Sequence, residues 1–156
     1  MTISLDGKVA VVTGSGRGIG RAYAAALAEA GAAVVVNDVD ANVAEEAVGQ
    51  IIAAGGRAVA EVVAVGSAEA AERLVERAVE AFGRLDVMVT NAGVLRDRVL
   101  WRMTDDDFDA VIETHLRGTF TCAAHRGAYT RRPVPHRLLH TEHPRHTARA
   151  WPGRLR

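Results

Sequence analysis

The sequence has a single cysteine, Cys122, and no long apolar run among its 156 residues. One cysteine cannot form an intrachain disulfide and is too few for a cysteine-ligated zinc site. Without an apolar run of about 18 residues, we expect no transmembrane helix. The N-terminus also lacks the basic start, apolar stretch and cleavage site of a secretory signal, which favours a cytoplasmic location.

Acidic residues are almost absent from the end of the chain. Residues 1–123 hold 18 Asp and Glu against 11 Lys and Arg, whereas residues 124–156 hold eight Arg and one acid, Glu142. All four prolines and five of the six histidines also lie in residues 124–156. A break of this size predicts a boundary between a folded domain, 1–123, and a basic tail, 124–156.

The tail has neither helical nor alternating apolar periodicity, and its prolines oppose a helix. We expect it to be irregular or disordered. Arg, Pro, His, Ala and Gly are also what GC-rich DNA encodes out of frame, so we infer a shifted reading frame or a broken gene as the origin of this segment. In either case the sequence loses the agreement between pattern and fold that folded domains have.

Two functions for the tail are alternatives to that expectation. Its arginines could make it a basic interaction module that binds nucleic acid. No recognition motif is present, however, and Tyr129 and Trp151 are few aromatics for base stacking, so we do not expect nucleic acid as a partner. A zinc or nickel site could use His136, His140, His143 and His146. Pro135 and Pro144 oppose the helix that would align them, so we expect no functional metal site.

The first 123 residues alternate short valine-rich runs with segments of helical periodicity. The predicted strands cover residues 8–13, 32–38, 57–65 and 85–93, the last including its turn. The predicted helices cover residues 19–30, 43–52, 71–82 and 105 to about 125. This alternation with short connections predicts an α/β fold, a doubly wound Rossmann-type parallel sheet with helices on both faces.

A glycine-rich turn, "TGSGRGIG" at residues 13–20, follows the first strand and opens a helix. Glycine supplies positive φ cheaply and lets a pyrophosphate approach the backbone, while the helix N-terminus offers N–H groups and partial positive charge. Gly14, Gly18 and Gly20 fit this requirement. No P-loop Lys-Ser/Thr follows, which argues against an NTPase. The pattern predicts a dinucleotide site.

Asp38 ends the second strand, 18 residues after Gly20. A carboxylate there can accept both ribose hydroxyls of NAD and repels the 2′-phosphate of NADP. Arg17 favours NADP weakly, because a guanidinium in the turn could meet that phosphate. We therefore expect NAD rather than NADP. The alternative is that Asp38 is only an acid at a helix start.

These motifs, together with "TNAG" at residues 90–93, resemble the short-chain dehydrogenase/reductase family over residues 4 to about 125. The resemblance implies NAD(P)-dependent hydride transfer between hydroxyl and carbonyl groups. It also implies that residues of the glycine turn and the fourth strand line the cofactor: Gly14, Gly18, Ile19, Gly20, Asn91, Ala92 and Gly93. The stretches "NAGVLRD" and "HLRGTF" look most like the subgroup that oxidises 3-hydroxyacyl-CoA and related compounds.

The sequence departs from the family pattern in several places. Gly66 stands where an Asp often meets adenine, and His115 stands where an Asn of the proton relay is usual. His115 is predicted to be a core residue rather than a catalytic one. The family's catalytic Ser and Tyr-x-x-x-Lys have no counterpart, since Lys8 is the only lysine. We name no catalytic residue, and expect the sheet to be incomplete and this chain to be inactive alone.

The resemblance leaves two functions open: an oxidoreductase present as its cofactor-binding half, and a non-catalytic dinucleotide-binding fragment or pseudoenzyme. A small hydroxyl or carbonyl substrate is expected only with a complete catalytic half. An unpaired strand edge and an uncovered apolar face on the helix 105–123 predict self-association, so a homo-oligomer is possible.

Overall fold

The computed structural model describes residues 4–131. Its strands are β1 (Val9–Val12), β2 (Ala33–Asp38), β3 (Arg57–Val62) and β4 (Val87–Val89). Its α-helices are α1 (Gly18–Glu29), α2 (Ala41–Ala53), α3 (Ala68–Phe82), α4 (Asp105–Val111) and α5 (Gly118–Arg131). A 3₁₀ turn covers Leu100–Arg102, and a π-helical segment, Ile112–Arg117, joins α4 to α5.

The four strands form one parallel sheet in the order β3-β2-β1-β4. Val11 of β1 lies opposite Val35 of β2 on one side and Met88 of β4 on the other. The chain moves outward from β1 to β3 and then crosses back to β4, so the strand order reverses at β1. The doubly wound Rossmann-type sheet is confirmed, and such a reversal opens a crevice at the carboxyl ends of the strands.

Helices cover both faces of the sheet because successive strand residues point to opposite sides. Val11 and Val35 join one buried cluster with residues of α3 and with Cys122 of α5. Val12 and Val34 join the other, with residues of α1 and α2. These valines are fully buried, and burying each stabilises the fold by about 1.5–3 kcal/mol.

Three helices begin at residues whose side chains cap them. Asp40 accepts a hydrogen bond from the Asn42 amide at the start of α2, and Ser67 accepts one from the Ala70 amide at the start of α3. Thr104 begins α4 with a reciprocal capping box to Asp107. Such caps satisfy amides that the helix itself leaves without partners.

The last predicted helix differs from the observed one in length and winding. The observed helix α5 runs to Arg131. Residues 124–131 are therefore helical, although the sequence predicts that the irregular tail begins there. The abrupt change of charge at residue 124 did not mark a structural break, because helix-compatible residues continue until the first proline, Pro133. The remainder of the predicted tail, residues 132–156, lies outside the described residues, as do its four candidate metal-binding histidines.

A cluster of charged side chains, Lys8, Arg84 and Asp86, stabilises the amino end of the sheet. The carboxylate of Asp86 accepts a hydrogen bond from the Val9 amide at 2.9 Å and two from the Arg84 guanidinium at 2.6 and 2.8 Å. Lys8 adds an ion pair at 3.7 Å. Burial raises the pKa of Asp86, but Arg84, the Val9 amide and Lys8 together outweigh burial and lower it below its usual value. Arg126 of α5 donates to the Asp86 carbonyl oxygen at 2.8 Å, which ties the last helix to β4.

The helices between residues 4 and 131 are all too short or too polar to cross a membrane.

Candidate functional site

The glycine turn between β1 and α1 packs directly against the turn that follows β4. Gly14 has φ 61°, and a Cβ on it would lie 2.8 Å from the Ala92 Cα. A Cβ on Gly20 would lie 2.2 Å from the Gly14 carbonyl oxygen and 2.5 Å from the Asn91 side-chain nitrogen. Real Cβ atoms do not approach other atoms so closely, so both positions require glycine. The two turns form one close-packed unit at the carboxyl end of the sheet.

Thr13 and Asn91 fasten these two turns by hydrogen bonds. The Thr13 hydroxyl accepts hydrogen bonds from the Asn91 and Ala92 amides at 3.0 and 3.1 Å. The Asn91 side-chain amide donates to the carbonyl oxygens of Thr13 and Gly14 at 3.0 and 3.1 Å. Asn91 therefore holds the turn in shape, and its contribution to a cofactor contact stays a prediction.

A second buried network supports the turn from the β2 side. The Ser15 amide donates to the Asn37 carbonyl oxygen at 2.7 Å, and the Asn37 amide donates to the Ser15 hydroxyl at 3.1 Å. The Asn37 side chain donates onward to the carbonyl oxygens of Glu61 and Val63 at 3.0 and 2.8 Å. These bonds link the ends of β1, β2 and β3, so the turn is preorganised before any ligand binds.

The N-terminus of α1 differs from the other helix starts. Gly18 has φ 57°, and a Cβ built on it would have no other atom within 4 Å, so the space above it is open. Within residues 4–131, α2, α3 and α4 have side-chain caps, whereas Arg17 at the start of α1 makes no such bond. The uncapped N–H groups and the helix dipole make this open end suited to an anion.

Asp38 lies at the end of β2 with its carboxylate turned toward the glycine turn. It is 8% exposed and accepts hydrogen bonds from the amides of Gly16, Val39 and Asp40 at 3.1, 2.9 and 3.3 Å. A Cβ on Gly16 would lie 2.8 Å from this carboxylate, so glycine is needed for the approach. Three amide donors fix the carboxylate beside the turn.

Arg17 is oriented toward α2 rather than toward Asp38. Its guanidinium lies 3.4 Å from the carboxylate of Asp40, and both side chains are largely exposed. Ile19, the next predicted contact along the turn, is 68% exposed. Both residues border the open end of α1 and are accessible to a ligand there.

His115 contacts the turn after β4. Its Nε2 atom lies 3.1 Å from the Val94 amide nitrogen and 3.0 Å from the Val94 carbonyl oxygen. Only one of these can be a hydrogen bond at a time, because the amide needs an unprotonated Nε2 and the carbonyl a protonated one. A Cβ on Gly93 would lie 2.7 Å from the His115 ring, so Gly93 is required for this contact. His115, on the π-helical segment, thus packs against Gly93 and Val94 from an exposed position rather than from the core.

Gly66 adopts a backbone conformation that disfavours the aspartate of the family pattern. Its φ is 135°, and a Cβ there would lie 2.5 Å from a carboxylate oxygen of Glu113. A longer acidic side chain would meet both this crowding and the repulsion between two carboxylates. The backbone at Gly66 therefore suits glycine better than aspartate.

The loop after Gly93 is anchored by Asp107. Its carboxylate lies 2.8 Å from Arg98 and accepts hydrogen bonds from the amide and hydroxyl of Thr104 at 3.3 and 3.0 Å. The hydrogen bond from the Thr104 backbone, the Thr104 hydroxyl and Arg98 lower the pKa of Asp107. Leu100 and Trp101 between these anchors are more than 80% exposed. The loop offers apolar surface beside the turn.

The predicted site residues thus fall into two groups and two single positions. Gly14, Gly20, Asn91 and Ala92 form the close-packed unit; Gly18, Ile19 and Arg17 border the open helix end; Asp38 is fixed at Gly16, and Gly93 packs on His115. Sequence reasoning missed the bracing residues Thr13, Ser15 and Asn37, and the Asp40 partner of Arg17. The sequence does contain a signal for Thr13, Ser15 and Asn37, because each is a polar residue at or just after the end of an apolar run that forms a strand.

Comparisons with known proteins agree with this geometry. The sequence profile described as short chain dehydrogenase matches residues 8–129. The chain is 47% identical over 135 residues to the hydroxyacyl-CoA dehydrogenase ChsB1 of Mycobacterium tuberculosis, covering 83% of this chain and 42% of that protein. It is 41% identical over 145 residues to the peroxisomal multifunctional enzyme type 2 of Drosophila melanogaster, covering 87% of this chain and 24% of that protein.

Solved structures give the same result. A crystal structure of a short chain dehydrogenase from Mycobacterium avium matches with a TM-score of 0.78 and 45% identity, over 84% of this chain and 49% of that one. The chain spans half or less of the length of these three relatives.

Proposed function

Because the chain belongs to the short-chain dehydrogenase family, we propose that it binds NAD across the carboxyl ends of β1, β2 and β4. The observation that carries the proposal is the open, uncapped N-terminus of α1 at Gly18, beside a fixed carboxylate at Asp38. Gly14, Gly18, Ile19 and Gly20 would hold the pyrophosphate, since the turn leaves backbone N–H groups free and no side chain in the way.

The preference for NAD over NADP rests on Asp38. Its carboxylate is nearly buried and already held by three amides, so it cannot turn away from a ligand at the end of β2 without losing those bonds. A ribose 2′-hydroxyl can donate to such a carboxylate, whereas a 2′-phosphate would be repelled by it.

The activity we propose for the whole protein is hydride transfer between NAD and a hydroxyl or carbonyl compound. NAD supplies the hydride acceptor when bound, and this chain's residues bind and orient it. Asn91, Ala92 and Gly93 would line the surface next to the cofactor, and His115 packs against Gly93. The likeness of "NAGVLRD" and "HLRGTF" favours a 3-hydroxyacyl-CoA substrate, and the ChsB1 relative is named a hydroxyacyl-CoA dehydrogenase.

A second candidate is dinucleotide binding without turnover. The 156 residues contain Lys8 as the only lysine and no Tyr-x-x-x-Lys, the pair that exchanges the substrate proton in the family. On this proposal the chain alone binds NAD and does not oxidise hydroxyacyl-CoA. The cytoplasmic location stays a prediction, and one relative carries a peroxisomal name.

The test is calorimetric titration of the full chain with NAD⁺, using Gly18→Ala and Gly55→Ala as a matched pair. Both glycines have positive φ, 57° and 86°, and open space at Cβ, so both substitutions cost about 1 kcal/mol in backbone strain. Only Gly18 borders the proposed pyrophosphate site. We expect NAD⁺ affinity to fall at least about tenfold in Gly18→Ala and to stay unchanged in Gly55→Ala. Equal effects, or no NAD⁺ binding by the unmodified chain, would contradict the proposal.

A turnover assay separates the two candidates. NADH formation from a 3-hydroxyacyl-CoA by the purified chain would support the oxidoreductase, and NAD⁺ binding without NADH formation would support the non-catalytic alternative.

A further inference from the structure

An exposed ion pair between Arg17 and Asp40 lies between the glycine turn and the start of α2. Asp40 follows Asp38 by two residues, and its amide donates to the Asp38 carboxylate at 3.3 Å. One oxygen of Asp40 caps α2 by accepting from the Asn42 amide at 3.0 Å, and the other lies 3.4 Å from the Arg17 guanidinium. Arg17 is thus drawn to one side of the turn by a carboxylate that helix capping holds in place.

We propose that Asp40 is a specificity-determining residue that disfavours a 2′-phosphorylated dinucleotide by occupying Arg17. The inference rests on the proposed dinucleotide binding and adds a residue to it. Arg17 borders the open end of α1, and guanidinium groups are the usual partners of a 2′-phosphate. Arg21, which also contacts the turn, donates to the Gly16 carbonyl oxygen at 2.7 Å and pairs with Glu46 at 2.9 Å. Because Arg17 is paired with Asp40, its charge is neutralised where the phosphate would need it.

Asp40 also adds a second carboxylate beside Asp38. A 2′-phosphate would be repelled by the carboxylates of Asp38 and Asp40, and it would gain little from Arg17, whose charge Asp40 neutralises. The uncharged 2′-hydroxyl of NAD is affected much less by these charges. The Arg17–Asp40 pair is largely exposed, so it contributes little to stability and can be broken without unfolding the turn. Specificity rather than stability is therefore the property that this pair should control.

The test compares NAD⁺ and NADP⁺ binding by the full chain and its Asp40→Asn variant. Asparagine caps helices as well as aspartate does, so the start of α2 is kept while the charge is removed. Glu45→Gln is the control, because it removes one exposed negative charge from the same helix. Thermal unfolding of each variant checks that the fold is unchanged.

We expect Asp40→Asn to raise the NADP⁺ affinity relative to NAD⁺ by about tenfold, and Glu45→Gln to change it less than about twofold. The gain should disappear when Arg17→Gln is added to Asp40→Asn, because the freed guanidinium is its source.

An unchanged ratio in Asp40→Asn, an equal gain in Glu45→Gln, or a full gain without Arg17 would each overturn the inference while leaving NAD⁺ binding intact. Failure of the unmodified chain to bind either dinucleotide would overturn the proposed function, and this inference with it.

Discussion

The carboxyl end of the sheet and the helical stretch from Asp105 to Arg131 are built in opposite ways. At the sheet end, polar side chains are buried and bond backbone groups of neighbouring strand ends: Thr13, Ser15 and Asn37 are each at most 1% exposed. Along the helical stretch, apolar side chains recur every four residues on an exposed face: Phe108, Ile112, Leu116 and Phe120. The first region has its hydrogen-bond partners within the described chain. The second presents apolar surface of the kind that marks an interaction site.

The largest effect is expected from adding one methyl group to the close-packed turn. Gly20→Ala would place Cβ 2.2 Å from the Gly14 carbonyl oxygen, which is backbone and cannot rotate away. We expect it to lower the free energy of unfolding by about 3 kcal/mol. Gly49→Ala, on α2 with open space at Cβ, should stabilise by about 0.5–1 kcal/mol. Chemical denaturation measures both, and equal effects would show that the turn is not close-packed.

The second-largest loss of stability is expected from removing the hydrogen bonds that the Thr13 hydroxyl accepts. Thr13→Val keeps the shape of the side chain and leaves the Asn91 and Ala92 amides without their acceptor. We expect a loss of about 2–3 kcal/mol in the free energy of unfolding. Thr130→Val is the control, since Thr130 is exposed on α5 and bonds only its own helix; its effect should stay within about 0.5 kcal/mol. A Thr13→Val variant as stable as the control would contradict the bracing role.

A smaller loss of stability is expected at the amino end of the sheet. There the Asp86 carboxylate accepts hydrogen bonds from the Val9 amide of β1 and from Arg84. Asp86→Asn should cost about 1–2 kcal/mol near pH 7 by weakening the charged hydrogen bonds. Because the pKa of Asp86 is lowered on folding from its usual 3.8, its stabilisation is present above that pH and is lost as pH falls through the folded-state pKa.

Denaturation of both proteins across pH 2–7 checks this sign. The stability difference between wild type and Asp86→Asn should be constant above about pH 5 and shrink at lower pH. A difference that grows on acidification would mean that the carboxylate is not the stabilising form.

Substitutions on the exposed helix face should change the free energy of unfolding least and self-association most. Leu116→Gln and Phe120→Gln change side chains that are 65% and 70% exposed, so each should alter stability by less than about 0.5 kcal/mol. We expect both to reduce self-association in sedimentation velocity. Ile52→Gln, 55% exposed on α2, is the matched control and should leave association unchanged. If all three variants act alike, the face has no special role.

The sequence was most informative where short-range rules decide the structure. Valine runs predicted the parallel strands, and the glycine spacing predicted the turn, because both depend on backbone geometry within a few residues. The same rules could not predict the Arg17–Asp40 pair or the crowding of Gly66 by Glu113, which bring together residues distant in sequence.

The end of the last helix was missed for a different reason. The change of charge at residue 124 predicts a structural boundary, but a change of charge does not by itself end a helix, because helices tolerate Arg, His and Thr. His115 was missed as a surface contact because a histidine within an apolar pattern does not reveal that a π-helical segment turns it toward Val94.

The most direct test of the central claim is hydrogen–deuterium exchange of the full chain with and without NAD⁺. The account predicts slower exchange at the amides of Gly18, Ile19 and Gly20, the uncapped start of α1, and at the turn 91–93, with no change along the exposed face of α3. Unchanged exchange at Gly18–Gly20 under saturating NAD⁺, or protection confined to another part of the chain, would contradict it.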